Sequence, residues 1–179
     1  PGAREVIAIA PGNDKLTWFK ALLKVRRVSR EVAKRFKPTL VHGHYVTSYG
    51  LWAAMCSLKV PPVLTAWGSD ILVTPRESRL MRLVVAWSLR HADLITADSM
   101  DMIEEIERYH PAAPCHQILW GADTDKFVPR DASDPKVATV REALGVSPEQ
   151  LMILTVGGDA ASKGAQEVMQ ALAINDPKA

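Results

Sequence analysis

Polar residues and glycines recur at the ends of short apolar runs. His42, His44 and Tyr45 close one run, and Trp67, Gly68, Ser69 and Asp70 close a second. Asp98 and Ser99, then Gly121 and Asp123, and finally Gly157, Gly158 and Lys163 close three more. If these runs are parallel strands, ligands bind outside their carboxyl ends, and these residues line the rim of a cleft. The turn at 157–164 suits a diphosphate. Gly157 and Gly158 let backbone approach a ligand closely, a helix starting near Lys163 aims free N–H groups and its positive dipole end at the same place, and Lys163 adds a mobile charge. The plainer reading stands beside this one: strand ends are generally polar, and glycine-rich strand-to-helix turns are common.

Other chemistry finds less support. His42 and His44 are expected to point to opposite faces of their strand, which argues against a shared metal and leaves one of them as a hydrogen-bonded structural histidine. No remaining histidine or cysteine stands at ligand spacing, so no metal is expected. Cys56 and Cys115 lie far apart in apolar stretches and read as reduced thiols. No nucleophile elbow, P-loop or G-x-G-x-x-G follows a strand, which counts against a hydrolase, a P-loop NTPase and a dehydrogenase. No bound cofactor is implied.

The elements that must position these residues alternate. Apolar runs at 4–10, 39–45, 63–69, 93–99 and 116–121 read as strands, and the stretches 17–36, 48–59, 77–91 and 100–109 as helices. A stripe of Trp18, Leu22, Val25, Val32 and Phe36 marks the buried side of the first helix, and Pro38 ends it. Runs apolar throughout, joined by crossovers of ten or more residues, describe a parallel sheet with both faces covered. The fold class is α/β, a doubly wound Rossmann-like parallel sheet. Residues 1–128 form this domain, its first strand expected to lie upstream of Pro1. Residues 129–150 form a linker and helix. Residues 151–179 supply the opening strand (151–158) and helix (162–173) of a second, incomplete Rossmann-like domain. That pair is expected to lack the neighbours needed to bury its apolar faces.

The 179 residues are 47% hydrophobic and 23% charged, enough for one well-buried core. The net charge of +2 conceals an asymmetry. Segment 15–37 carries nine Lys and Arg against Glu31, a net of +8, which leaves −6 on the rest. Such a basic helix, with Trp18 and Phe19 at its start, is either a solvated outer face or a peripheral contact with anionic lipid. Nucleic acid is disfavoured, because no aromatic residues interleave the basic ones on an exposed strand. No run approaches the roughly 18 apolar residues of a membrane span, and no signal peptide is evident. The expectation is a cytoplasmic protein, peripheral on the inner face of the membrane.

Several segments together resemble the family 4 glycosyltransferases, the large retaining family of GT-B fold. "KPTLVHGHY" is similar to the family's strand ending in His-x-His, and "PVLTAWGSDI" to its strand ending in His-Gly-x-Asp. "HADLITADSMDMIEEI" resembles its helix-strand-helix, and "ILWGADTDKFVPRD" its "IPNGVDTERFRP" signature before the interdomain linker. "LMILTVGGDAASKGAQEVMQALA" resembles the opening of its second domain. The resemblance implies transfer of a sugar from a nucleoside diphosphate sugar to a glycan, lipid-linked or small-molecule acceptor, with retention and without a metal ion. It places His44, Trp67, Gly68, Ser69, Asp70 and Ser99 on the acceptor side of the cleft. It places Gly157, Gly158 and Lys163 on the donor, Lys163 at the diphosphate. Two positions depart from the pattern: Trp67 stands where many relatives have the cleft histidine, and Gly158 where many have a diphosphate-binding arginine. The family's Glu-x7-Glu donor motif is expected beyond Ala179, and the stretch 1–179 by itself is expected to be inactive. An epimerase or phosphorylase of the same fold, or a non-catalytic binding homologue, is the alternative.

Overall fold

The computed structural model describes residues 15–56, 59–156 and 164–175, the side chains of 15–19, 22 and 175 excepted. The chain divides into two compact units, one ending at Gly121 and the other beginning at Ala122.

The first unit opens with α1 (Lys15–Phe36). Its buried residues Ala21, Val25 and Ser29 recur every four positions, the spacing of one helical face. Ala21 and Val25 pack on Trp52 and Cys56. This stripe is rotated from the expected one: Phe36 is exposed, Val32 is half-buried, and the side chains of Trp18 and Leu22 lie outside the described residues. The helix closes at Lys37, which takes a left-handed φ of 46°, the usual conformation of a residue just past a helix end, and Pro38 follows, which cannot continue the helix.

Four strands follow, β1 (Val41–His44), β2 (Pro62–Thr65), β3 (Leu94–Ala97) and β4 (Cys115–Gln117), all parallel and ordered β1-β2-β3-β4. Gly43, Leu64, Ile95 and Cys115 share one row, and His44, Thr65, Thr96 and His116 the next. The connections are helical. A π-helical turn (Val46–Gly50) leads into α2 (Leu51–Met55), then α3 (Ser69–Leu72), α4 (Thr74–Glu77) and α5 (Arg79–Arg90), and finally α6 (Met100–Glu107). Sequential parallel strands joined by right-handed crossovers bring their helices to one face. The core lies there, with Leu64, Ile95 and Ala97 of the sheet against Val46, Ala53, Ile71, Val85, Leu89, Met102, Ile103 and Ile106. The fold is thus α/β, a Rossmann-like parallel sheet flanked by helices. Of the two faces expected to be covered, the described helices cover this one. On the other, His42, His44, Val63, Thr65, Leu94 and Thr96 join Ile118, Leu119 and Trp120 around a cavity of about 340 Å³.

Three expectations change. Residues two apart on a strand share a face, so His42 and His44 lie side by side, their rings 4.2 Å apart, and not on opposite faces. The helix expected over 48–59 starts earlier, as the π-helical turn, and ends at Met55. The stretch 151–156 is not a strand: it pairs with nothing among the described residues, and Leu151, Leu154 and Val156 are exposed. A strand satisfies its backbone only by pairing with a neighbour. The expected strand at 4–10 lies outside the described residues, among which the sheet has four strands.

In the second unit, α7 (Pro135–Ala143) begins with Pro135 in its first turn and the Asp134 side chain accepting from Lys136 N–H. Gly145 takes a φ of 67° just after it. The Arg141 guanidinium donates to the carbonyls of Ser147 and Gln150, which folds the chain back on the helix end. A final helix, α8, spans Ala165–Asn175.

Candidate functional site

The carboxyl ends of β1 and β2 are tied together by one carboxylate. Asp70, in the first turn of α3, is fully buried. Its Oδ2 accepts from Val46 N–H at 2.6 Å and its Oδ1 from Trp67 N–H at 3.0 Å. Burial pushes its carboxyl above the ordinary range, and the N–H donors pull it back. Asp70 therefore turns into the protein, where the family resemblance implies a substrate-facing residue. It fixes the loop after β1 against the loop after β2.

That brace presents two rings. Trp67 Nε1–H donates to His44 Nδ1 at 3.2 Å, the rings meeting edge to face at 5.8 Å. With Nδ1 accepting, the neutral imidazole of His44 carries its proton on Nε2. Trp67 is 51% exposed and also meets Trp120, with ring centroids 4.9 Å apart. Behind His44, His42 Nε2 lies 2.7 Å from Thr65 Oγ1, which lies 2.7 Å from Thr96 Oγ1. This polar chain crosses three strands. Burial, then the neighbouring His44, holds His42 below its usual pKa, so the neutral ring is favoured.

The loops around these rings are strained where they turn. Tyr45 takes φ 69°, and its hydroxyl lies 3.0 Å from Ser69 Oγ. Gly68 takes φ 114° with open space where a Cβ would stand, so the backbone angle is what requires glycine there. His44, Trp67, Gly68, Ser69 and Asp70 are thus one cluster. Ser99 is placed differently: its hydroxyl accepts from Met102 N–H at 3.3 Å and caps α6 at the end of β3. Gly157, Gly158 and Lys163 lie outside the described residues. Among the described residues no group of three or more His, Cys, Asp or Glu gathers as a metal site would.

Sequence reasoning did not single out Trp120, although it sits in the quoted "ILWGADTDKF" segment just beyond β4, where a parallel sheet carries it to the same rim. The pairing of His42 with His44 was available from strand periodicity.

In an open parallel α/β sheet ligands bind outside the carboxyl ends of the strands, and this polar cluster lies there. The family described as glycosyl transferase 4-like matches residues 3–99, more than half of the chain, and the chain belongs to that family. No curated protein matches it.

Proposed function

We propose that the protein transfers a sugar from a nucleoside diphosphate sugar to a glycan, lipid-linked or small-molecule acceptor, with retained anomeric configuration. The observation that carries this reading is the His44–Trp67 pair, held by Asp70 at the carboxyl ends of parallel strands in a chain of the glycosyl transferase 4-like family. His44, Trp67, Gly68, Ser69 and Ser99 form the acceptor side, with Asp70 as the positioning residue beneath them. Gly157, Gly158 and Lys163 form the donor side. As the bond to the sugar breaks, negative charge grows on the leaving diphosphate, where the helix N-terminus and Lys163 oppose it. The acceptor oxygen bonds to the anomeric carbon, and its proton passes to the leaving phosphate.

The acceptor is proposed to be membrane-proximal. Lys20, Lys24, Arg26, Arg27, Arg30, Lys34, Arg35 and Lys37 are all exposed along α1 and its end, a surface suited to anionic lipid. No helix among the described residues is long and apolar enough to cross a membrane.

The full-length protein, incubated with a panel of sugar nucleotides and candidate acceptors, is expected to release nucleoside diphosphate and form a product with the donor's anomeric configuration. Lys163→Ala is expected to lower turnover about 100-fold, the size of losing one donor to a developing oxyanion. Release that is indifferent to acceptor, or an inverted product, would reject the reading.

A further inference from the structure

Helix α5 is amphipathic in an unusual sense: both of its sides carry large apolar residues. Val85 and Leu89 are completely buried in the core. On the opposite side Leu80, Leu83 and Trp87 stand in the spacing of a single helical ridge, and they are 64%, 68% and 38% exposed. Single exposed leucines need no explanation, but three large apolar residues aligned on one outward ridge do. Trp87 is further fixed by His91, whose ring stacks on it at 3.9 Å while Nδ1 donates to the Trp87 carbonyl at 2.7 Å.

Beside the ridge lies a concentration of positive charge. Arg76, Arg79, Arg82 and Arg108 surround a cavity of about 410 Å³ with Pro75, Glu105 and Tyr109. Glu105 Oε2 draws in two of the guanidinia, Arg108 at 2.9 Å and Arg76 at 3.5 Å. One carboxylate against four arginines leaves the cavity at a formal +3. Guanidinium groups match phosphate oxygens in pairs of parallel hydrogen bonds, so a phosphate-bearing partner complements this cavity where a neutral one does not.

An outward apolar ridge with a tryptophan, flanked by arginines, is the combination that seats a helix in the boundary between headgroups and acyl chains. We propose that α5 docks the protein on an anionic lipid surface, Leu80, Leu83 and Trp87 entering the interface while the arginine cavity takes lipid phosphates. This deepens the proposed membrane-proximal acceptor and is separate from the charge on α1, because the ridge contributes through burial of apolar surface, which salt does not screen.

The test is sedimentation with phosphatidylcholine vesicles, with and without phosphatidylglycerol. The protein is expected to sediment with the anionic vesicles, and Leu80→Gln together with Leu83→Gln to weaken partition at least about tenfold, since each leucine loses a large part of its transfer free energy. Arg79→Gln with Arg82→Gln is expected to weaken binding to the anionic vesicles only. Inorganic phosphate at millimolar concentration should not displace the protein; if it does, a soluble phosphate and not a lipid occupies the cavity, and the proposal falls. It also falls if the leucine variant partitions like the parent, or if that variant instead halves the solution mass, which would make the ridge a contact between copies of the chain. These substitutions are at exposed positions, and an unchanged melting curve verifies the fold. Vesicle binding is read without turnover, so failure of the transfer assay and failure of this proposal are separate results.

Discussion

Asp70 shows how much one side chain organises the rim. Its two oxygens satisfy the backbone N–H groups of Val46 and Trp67 inside the protein, and a buried donor left without a partner costs about 1–3 kcal/mol. Asp70→Ala strands both, so it is expected to destabilise the fold by about 3 kcal/mol, with Asp70→Asn costing less because one acceptor survives; urea unfolding measures both. His42 supplies a pH-dependent term. Its pKa is depressed from 6.5 by burial and then by His44, so below pH 6.5 the unfolded chain binds the proton more readily than the folded one. The stabilisation is present above that pH and is lost as pH falls through the folded value. Melting temperatures between pH 7.5 and 5 should therefore fall more for the parent than for His42→Gln, and parallel curves would show that His42 is not the group responsible. The sequence located Asp70 and His44 correctly at strand ends, yet their orientation was not legible there. Whether Asp70 faces substrate or the fold depends on the donors of Val46 and Trp67, and no spacing rule brings Val46 to it across 24 residues.

At the scale of elements, alternation and punctuation told most of the story. The apolar runs found all four described strands, and Ser78 and Ser99 begin α5 and α6 by accepting from the third N–H along. Less legible were features decided by neighbours in space. The two short helices α3 and α4 follow from the Asp70 brace and from Pro75 in a first turn. The run 151–156 has the composition of a strand, but composition supplies no hydrogen-bonding partner. The close approach of α2 to β1 is also tertiary. A Cβ on Gly43 would lie 2.7 Å from Ala53 Cβ, 2.7 Å from Gly50 Cα and 2.8 Å from the Tyr49 carbonyl oxygen. Two of those atoms are backbone, so the π-helical turn and α2 must move outward as a body. Gly43→Ala is expected to destabilise by about 3 kcal/mol, the upper part of the usual overpacking range. Thermal unfolding of Gly50→Ala, where the nearest contact is a looser 3.2 Å, provides the comparison and should show a smaller loss.

At the scale of the whole molecule, charge separation is the property that was plainest in the sequence and whose consequence reaches furthest. A net +2 composed of +8 on residues 15–37 and −6 elsewhere gives the protein an oriented field, which acts on partners and encounter more than on the fold. The described basic side chains of α1 are exposed, while Ala21 and Val25 hold the helix to Trp52, so the charged side is displayed on a fixed support. Near an anionic bilayer each Lys or Arg contributes about 1 kcal/mol, and that attraction shortens with the Debye length, from about 10 Å at 0.1 M salt to about 3 Å at 1 M. Binding to phosphatidylglycerol vesicles should then have two parts: a steep salt-dependent part from α1 and a residual part at 1 M salt from the apolar ridge of α5. Replacing Lys20, Lys24, Arg30 and Lys34 by Gln is expected to flatten the salt dependence and leave the high-salt residue in place. The leucine variant of α5 is expected to do the reverse. A quadruple variant with the parent's salt slope, or a parent that sediments equally with neutral and anionic vesicles, would return α1 to a solvated outer face and leave the acceptor to be sought in solution.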